Sequence, residues 1–188
     1  MNIIAGTKGG ELYRDRVLFL DSFQLLNTPL IEAAAKGNIY GLKKLILAST
    51  DRKEKDLALV RAAKAGMVAA VKELLESGAD FNAKDELDKK TALMWSMSGG
   101  DNDVTKLLLD AGADLNVRDD KGDTILAYAV RRRSKKLVAT LLAAGASVNI
   151  KNNEGSTVWS LAVRLADLNP KDKDFAAILL SLKEAGAE

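Results

Sequence analysis

The chain contains neither cysteine nor histidine in its 188 residues, and these two absences remove most familiar site chemistry. Without cysteine there is no disulfide, no thiolate metal ligand and no cysteine nucleophile. Without histidine, the usual general base near neutral pH and the commonest metal ligand are also missing. Any catalysis would depend on carboxylates, lysine or tyrosine, so we expect neither an enzyme nor a protein that holds a metal or another cofactor.

A strong excess of charge is also missing. The chain has 28 basic and 26 acidic residues, a formal net charge of +2, and 47% apolar residues, which is typical of a folded globular protein. The apolar run 17–20 is too short for a signal peptide and lies between Asp15 and Asp21. We expect no membrane association. The cytoplasm is favoured if Met1 is the true start, and the periplasm or secretion if a signal peptide was removed.

What is present is a repeated unit. Gly78, Gly112 and Gly145 each follow a Leu-Leu pair and a short interval, and they lie 34 and 33 residues apart. A polar turn and a new helix start follow each glycine. Such a period indicates an array of stacked units, because one unit cannot bury its apolar face alone.

The turn sequences make this pattern specific. GADLN at 112–116 and DDKG at 119–122, followed by Thr124, resemble the ankyrin repeat over about residue 27 to the C-terminus. The resemblance implies an all-α solenoid of stacked helix pairs with projecting turns, here called fingers, that almost always binds another protein. TALMW at 91–95 is more similar to bacterial members. The expected repeats are 27–55, 56–87, 88–121, 122–154 and 155–188.

Both ends are predicted to be capped. Residues 1–26 do not follow the repeat, and Phe19, Phe23 and Leu26 would share one helix face that covers the first repeat. Lys183 replaces the leucine of the preceding repeats, which indicates that no further repeat stacks on it. A monomer is therefore expected.

Two positions predict local differences inside the array. Ser49 replaces the glycine of later repeats and the next helix is expected near Leu57, so the first finger should be short or missing. Arg133 replaces a glycine between two helices. A left-handed backbone costs a non-glycine residue about 1 kcal/mol, so we expect a different turn there.

The resemblance also concerns two sets of polar residues. Ankyrin repeats begin Thr-Pro-Leu-His, and the histidine ties helix to turn through hydrogen bonds. Because this chain has no histidine, we expect those links to be replaced by apolar contacts or lost. The replacing residues are Ile31, Val60, Met94, Ala127 and Ser160. Asn82, Asn116 and Asn149 remain at the finger bases, where they can bond turn backbone groups.

The resemblance implies that one face of the first helices lines a concave groove, and the residues on that face predict a positively charged groove with Glu32 at its edge. In each repeat, the residue four after the initial threonine shares a helix face with those three and four beyond it. Neighbouring helices lie about 8–10 Å apart, which brings the groove side chains of successive repeats together. The predicted partner-binding residues are Arg61, Lys64, Trp95, Tyr128, Arg131, Arg132 and Arg164, with Lys84, Arg118 and Lys151 from the fingers.

Two interpretations of this groove stay open. Tryptophan, tyrosine and arginine often dominate binding energy, so Trp95, Tyr128, Arg131 and Arg132 can form a hot spot for an acidic or C-terminal-carboxylate segment of a partner. Alternatively, the rings are half-buried packing residues and the arginines a solvated face. Acidic residues are expected at the finger tips, where aspartate is common for backbone reasons. They are Asp85, Glu86, Asp119, Asp120, Asp123 and Glu154.

The resulting prediction is a non-catalytic protein-interaction module that acts as a scaffold, adaptor or inhibitor. One alternative is a secreted or periplasmic effector or protective protein with the same fold. Another is a nucleic-acid-associated protein that uses the basic run 131–136, although that run spans a helix end and a helix start, so its charges should diverge. The oxygen-rich segment 101–103 lacks an EF-hand continuation and is expected to cap a helix.

Overall fold

The computed structural model describes residues 28–100 and 102–187, and these form ten helices in five successive pairs. No strand forms in these ranges, so the predicted all-α repeat solenoid is confirmed. The pairs, numbered here as the first to fifth repeats, are α1 (Pro29–Lys36) with α2 (Ile39–Ala48), α3 (Arg52–Lys64) with α4 (Val68–Glu76), α5 (Ala92–Gly99) with α6 (Asn102–Asp110), α7 (Ile125–Arg131) with α8 (Lys135–Ala143), and α9 (Val158–Leu168) with α10 (Lys173–Glu184).

Threonines start several first helices. The hydroxyls of Thr28, Thr91 and Thr157 each accept a hydrogen bond from the backbone N–H three residues later. Such a side chain satisfies one of the N–H groups that the first helical turn leaves unpaired. The repeated threonine therefore fixes where the groove-lining helices begin.

The core is a continuous seam between neighbouring repeats. The first helices pack in one row, α1 on α3, α3 on α5, α5 on α7 and α7 on α9, and the second helices pack behind them. Leucines of the second helices lie at 0% exposure, four residues before each repeat glycine. They are Leu74, Leu108, Leu141 and Leu182. Stacking thus buries the apolar face that one repeat would expose, as the period predicts.

The fingers are connected to one another through the predicted asparagines. Asn82 Oδ1 accepts from the backbone N–H of Asp114 at 2.8 Å, and Asn116 Oδ1 accepts from that of Ser147 at 2.9 Å. Each asparagine therefore bonds the finger of the next repeat. This long-range contact aligns successive fingers along one side of the solenoid.

The first interface lacks a finger, as predicted, because only three residues separate α2 from α3. The helix starts earlier than expected, however. Asp51 is the N-cap of α3, which begins at Arg52 and not near Leu57. The predicted repeat boundary at 55/56 therefore falls inside this helix. Asp56 of the same helix accepts from the backbone N–H of Asp80 at 2.6 Å. A helix carboxylate here replaces the finger asparagine.

The expectation of a different turn at Arg133 is wrong. Its φ is 55°, in the same left-handed region as Gly66 at 71° and Gly100 at 84° in the equivalent turns. The Arg133 guanidinium lies 2.5 Å from a carboxylate oxygen of Asp172, which caps α10. This contact ties the Arg133 side chain to the N-terminus of α10 and offsets part of the backbone cost.

The predicted N-terminal cap, 1–26, lies outside the described residues, as does Asp101. At the other end Lys183 is exposed on α10. Within the described ranges the longest helix, α3, has 13 residues, and none has the length and apolar character needed to cross a membrane.

Candidate functional site

Two aromatic rings link the groove-lining helices to the fingers that precede them. The Trp95 indole Nε1 donates to Asp85 Oδ2 at 2.6 Å, and the Tyr128 hydroxyl donates to Asp119 Oδ2 at 2.6 Å. Both rings are half-buried. We call each such contact a ring–acid link, because it ties the first helix of a repeat to its finger.

The same aspartates close the finger loops through their second oxygen. Asp85 Oδ1 accepts from the backbone N–H of Asp88 at 2.8 Å and from that of Lys90 at 3.3 Å. Asp119 Oδ1 accepts from the N–H groups of Lys121 at 2.9 Å and Asp123 at 2.8 Å. Each carboxylate therefore determines both the shape of its loop and the position of a ring.

These contacts correct two predictions. Asp119 and Asp123 are 7% and 5% exposed, so they are not acidic finger tips, although Glu86, Asp120 and Glu154 are exposed. The helix-to-turn links expected to become apolar or disappear also remain polar in the third and fourth repeats. They lie one residue beyond the family's histidine position, because an aromatic donor is present there.

The environment of Tyr128 keeps its hydroxyl protonated. Burial and then the hydrogen bond to Asp119 raise the pKa of the Tyr128 phenol well above its ordinary value. The hydroxyl is therefore a hydrogen-bond donor throughout the physiological range. A donor at this position matches the carboxylate acceptor opposite it.

Cations lie against the two rings. Lys64 Nζ lies 3.8 Å from the Trp95 ring centroid, and Lys90 Nζ lies 4.3 Å from the same centroid and 5.8 Å from that of Tyr128. The Arg131 guanidinium carbon lies 5.8 Å from the Tyr128 centroid. We call these five side chains the cation ladder. Each cation–ring contact stabilises the protein by about 0.5–2 kcal/mol, depending on solvent exposure.

Opposite charges occupy different depths in the groove. Arg131 pairs with Asp123, and the arginine side chain is 42% exposed while the aspartate side chain is 6% exposed. In the looser pair of Lys90 with Asp88, at 3.8 Å, the order is reversed, since the lysine side chain is 20% exposed and the aspartate side chain is 43% exposed. Cations and acids are therefore both accessible on this face, and Lys64 is the exposed cation of the ladder.

Three other predicted binding residues have contacts within the solenoid. Lys84 Nζ donates to the carbonyl of Arg118 at 2.9 Å, which links two fingers. Arg118 in turn donates to Asn153 Oδ1 at 2.9 Å. Arg132 Nη1 donates to the Met97 carbonyl at 2.7 Å and so joins α7 to α5. The structure brings together Lys64, Trp95, Tyr128 and Arg131, while Arg61, Arg164 and Lys151 lie outside the cation ladder.

Sequence reasoning missed Lys90, the central cation of the ladder. It directly precedes Thr91, so it belongs to the end of a finger and not to the helix face used for the prediction. It also missed the ring–acid links, although their signal is present. Asp85 precedes Trp95 by ten residues and Asp119 precedes Tyr128 by nine.

As predicted, the charges of the basic run 131–136 diverge and do not form one patch. Its side chains contact residues of three different segments, so their charges diverge. The contacts are Arg131 with Asp123, Arg132 with the Met97 carbonyl, Arg133 with Asp172, and Lys135 with Asp174 at 3.2 Å. Across the part of the chain that the structure describes, no group of three or more carboxylates is placed to hold a metal ion.

A family model described as Ankyrin repeats (3 copies) matches residues 59–152, which is half of the chain. Comparison with curated proteins finds no match. Ankyrin repeats are general protein–protein interaction modules and are typically non-catalytic. The matched residues contain the third and fourth helix pairs, α4 and the C-terminal part of α3, together with the whole cation ladder. On the repeat motif, the helix-pair stack and this match, the chain belongs to the ankyrin repeat family.

Proposed function

We propose that this protein is a non-catalytic interaction module that binds an acidic segment of a partner protein along its concave groove. The cation ladder is the observation that carries the proposal. It places three cations from consecutive repeats against two rings.

The ladder lowers the cost of binding in two ways. Lysine side chains normally lose rotamer freedom when they contact a partner, and contact with a ring restricts that freedom beforehand. A cation at a ring face also keeps its other donors directed outward for a carboxylate. Pre-ordered cations therefore favour an acidic segment more than the same charges on free side chains would.

The contacts of the basic run favour a protein partner over nucleic acid. Outside the ladder, Arg133 and Lys135 of this run already pair with Asp172 and Asp174. The exposed acids of the finger tips would repel a phosphate backbone along the same face. A short acidic peptide that follows the ladder avoids those tips.

The test uses a fluorescein-labelled octaglutamate peptide, with octaglutamine as the neutral control, and measures fluorescence anisotropy at low ionic strength. We expect the full chain to bind octaglutamate, and Lys64→Glu with Lys90→Glu to weaken binding at least about tenfold. The matched control is Lys106→Glu with Lys136→Glu, which changes net charge equally on exposed positions of α6 and α8. Equal losses in both double variants would mean that net charge, and not the groove, determines binding.

A further inference from the structure

The fifth repeat departs from the ring pattern of the third and fourth. Trp95 and Tyr128 each lie four residues after a threonine, and the equivalent residue of the fifth repeat is Leu161. The finger aspartate is replaced there by Asn152. Leucine has no hydrogen-bond donor and no ring, so the fifth repeat cannot form a ring–acid link.

A cavity lies beside Leu161. Its volume is about 250 Å³. Val158 and Leu161 of α9 and Ala127 of α7 line one part of it, and most of the other lining residues are polar, among them Asp123 and Ser156. Small-molecule sites usually measure about 300–1,000 Å³. This smaller cavity suits a single side chain. Its position indicates a ring, because the two preceding repeats place their own ring between helix and finger at the equivalent point.

Asn152 does not offer a ring hydroxyl the acceptor that Asp119 offers to Tyr128. Asn152 Oδ1 already accepts from the backbone N–H groups of Glu154 at 3.0 Å and Ser156 at 2.9 Å. Its amide nitrogen donates to Asp123 Oδ1 at 3.1 Å. A phenylalanine side chain of a partner would fill the cavity without leaving a buried hydroxyl unpaired.

Three cations, Lys121, Arg131 and Arg164, and two carboxylates, Asp123 and Glu154, line the cavity. Arg131 is held by Asp123, whereas Arg164 is exposed and makes no hydrogen bond or ion pair within 28–100 and 102–187. A guanidinium can lie over a ring face and can also bind a carboxylate through two parallel hydrogen bonds. Arg164 is therefore the lining cation that can pair with a partner carboxylate.

We propose that this cavity is an anchor pocket for an aromatic side chain of the partner, with phenylalanine preferred, next to an acidic residue that pairs with Arg164. The inference rests on the proposed function, since it specifies which residue type the acidic segment places at this end of the groove. The partner ring takes the place that Trp95 and Tyr128 occupy in their own repeats.

The test compares two labelled peptides with blocked ends, Glu-Gly-Glu-Phe-Glu-Gly-Glu and the same sequence with alanine in place of phenylalanine. We expect the wild-type full chain to bind the phenylalanine peptide about tenfold more tightly, because burial removes the ring from water. Leu161→Phe should fill the cavity with the protein's own ring and abolish this preference. Leu180→Phe, which adds a ring at a position of α10 that is 59% exposed, should leave the preference unchanged.

Arg164→Gln provides a second variant that alters only an exposed side chain, so the test does not depend on Leu161→Phe folding correctly. It should weaken the binding of both peptides several-fold, because both carry the acidic residues that Arg164 would pair with. An unchanged preference in Leu161→Phe, or an unchanged affinity in Arg164→Gln, with native helical circular dichroism, would overturn the pocket. Equal wild-type affinity for both peptides, lost in Lys64→Glu with Lys90→Glu, would overturn the pocket and leave the groove function standing. No binding of either peptide would overturn both.

Discussion

The fourth and fifth repeats close their fingers in the same way but connect them to the helix differently. Asp119 and Asn152 each accept two backbone N–H bonds across the finger loop. Only Asp119 also receives a ring hydroxyl, from Tyr128. The finger backbone therefore does not depend on the ring–acid link. The link is an additional contact that fills space and leaves cations on the groove surface.

This difference separates two roles that one residue position can have. In the third and fourth repeats the residue four after the threonine fills its own space and supports a cation. In the fifth repeat the smaller Leu161 leaves that space open beside Arg164. In the third and fourth repeats the protein's own ring thus fills the space between helix and finger, while in the fifth repeat this space is open.

Asp119→Ala is expected to cost the most stability of the changes considered below. It removes the acceptor of two backbone N–H groups and of the Tyr128 hydroxyl, at a site that is 7% exposed. We expect the free energy of unfolding to fall by about 2–4 kcal/mol, against about 1–2 kcal/mol for Asn152→Ala. Urea denaturation followed by circular dichroism measures both.

Asp119→Asn is the matched control for this comparison, because it gives the fourth repeat the finger residue of the fifth. The amide oxygen keeps the loop closed, so this variant should lose less stability than Asp119→Ala. If Asn152→Ala proves as costly as Asp119→Ala, the ring–acid link adds nothing to the stability of the protein.

Alkaline pH should weaken the fourth repeat through Tyr128. The phenol has a pKa raised by burial and by Asp119 in the folded protein, while an unfolded tyrosine ionises near pH 10. The stabilisation is therefore complete below about pH 10 and is lost as the pH rises towards the folded pKa. In that range the free energy of unfolding should fall by up to about 1.4 kcal/mol per pH unit from this group.

Tyr128→Phe removes the titrating hydroxyl and so isolates this contribution. The difference in the free energy of unfolding between wild type and variant should stay constant between about pH 7 and pH 9. It should shrink by about pH 11, because only the wild type loses the stabilisation that comes from the protonated Tyr128. Lysines titrate in both proteins, and that contribution cancels in the comparison. Curves that stay parallel up to about pH 11 would show that the Asp119 contact does not hold the proton.

The repeat architecture was predictable because its signals are local. A threonine marks where a helix starts, a glycine marks where one ends, and leucines mark the buried face. Each signal is read from a few neighbouring residues and recurs at the repeat period. The direction of the finger aspartates was not predictable in this way. Asp119 turns inward because Tyr128, nine residues later, supplies a donor, and that pairing depends on how the finger folds back on its helix.

The positions of the groove cations could likewise be predicted only in part from the sequence. The helix period correctly brought Lys64, Trp95, Tyr128 and Arg131 to one side, where the structure joins them in the cation ladder. It could not include Lys90, since a finger residue follows no helical period. Whether the ladder and the other groove cations bind a partner remains a prediction.

The smallest effect concerns the turns between paired helices, where Arg133 of the fourth repeat replaces glycine. Arg133→Ala removes the ion pair with Asp172 and keeps a side chain at a φ of 55°, so it should cost up to about 1 kcal/mol. Arg133→Gly removes the same ion pair but relieves a backbone strain of about 1 kcal/mol, so its stability should stay near that of wild type.

Because both variants lack the guanidinium, the difference between their urea stabilities reports the backbone alone. Gly100→Ala in the third repeat provides the reverse experiment, since it places a side chain at a φ of 84° without adding an ion pair. It should cost about 1 kcal/mol relative to wild type. If Arg133→Ala and Arg133→Gly are equally stable while Gly100→Ala is destabilised, the left-handed turn of the fourth repeat is not strained. The ion pair with Asp172 would then be an independent contact between repeats and not compensation for a missing glycine.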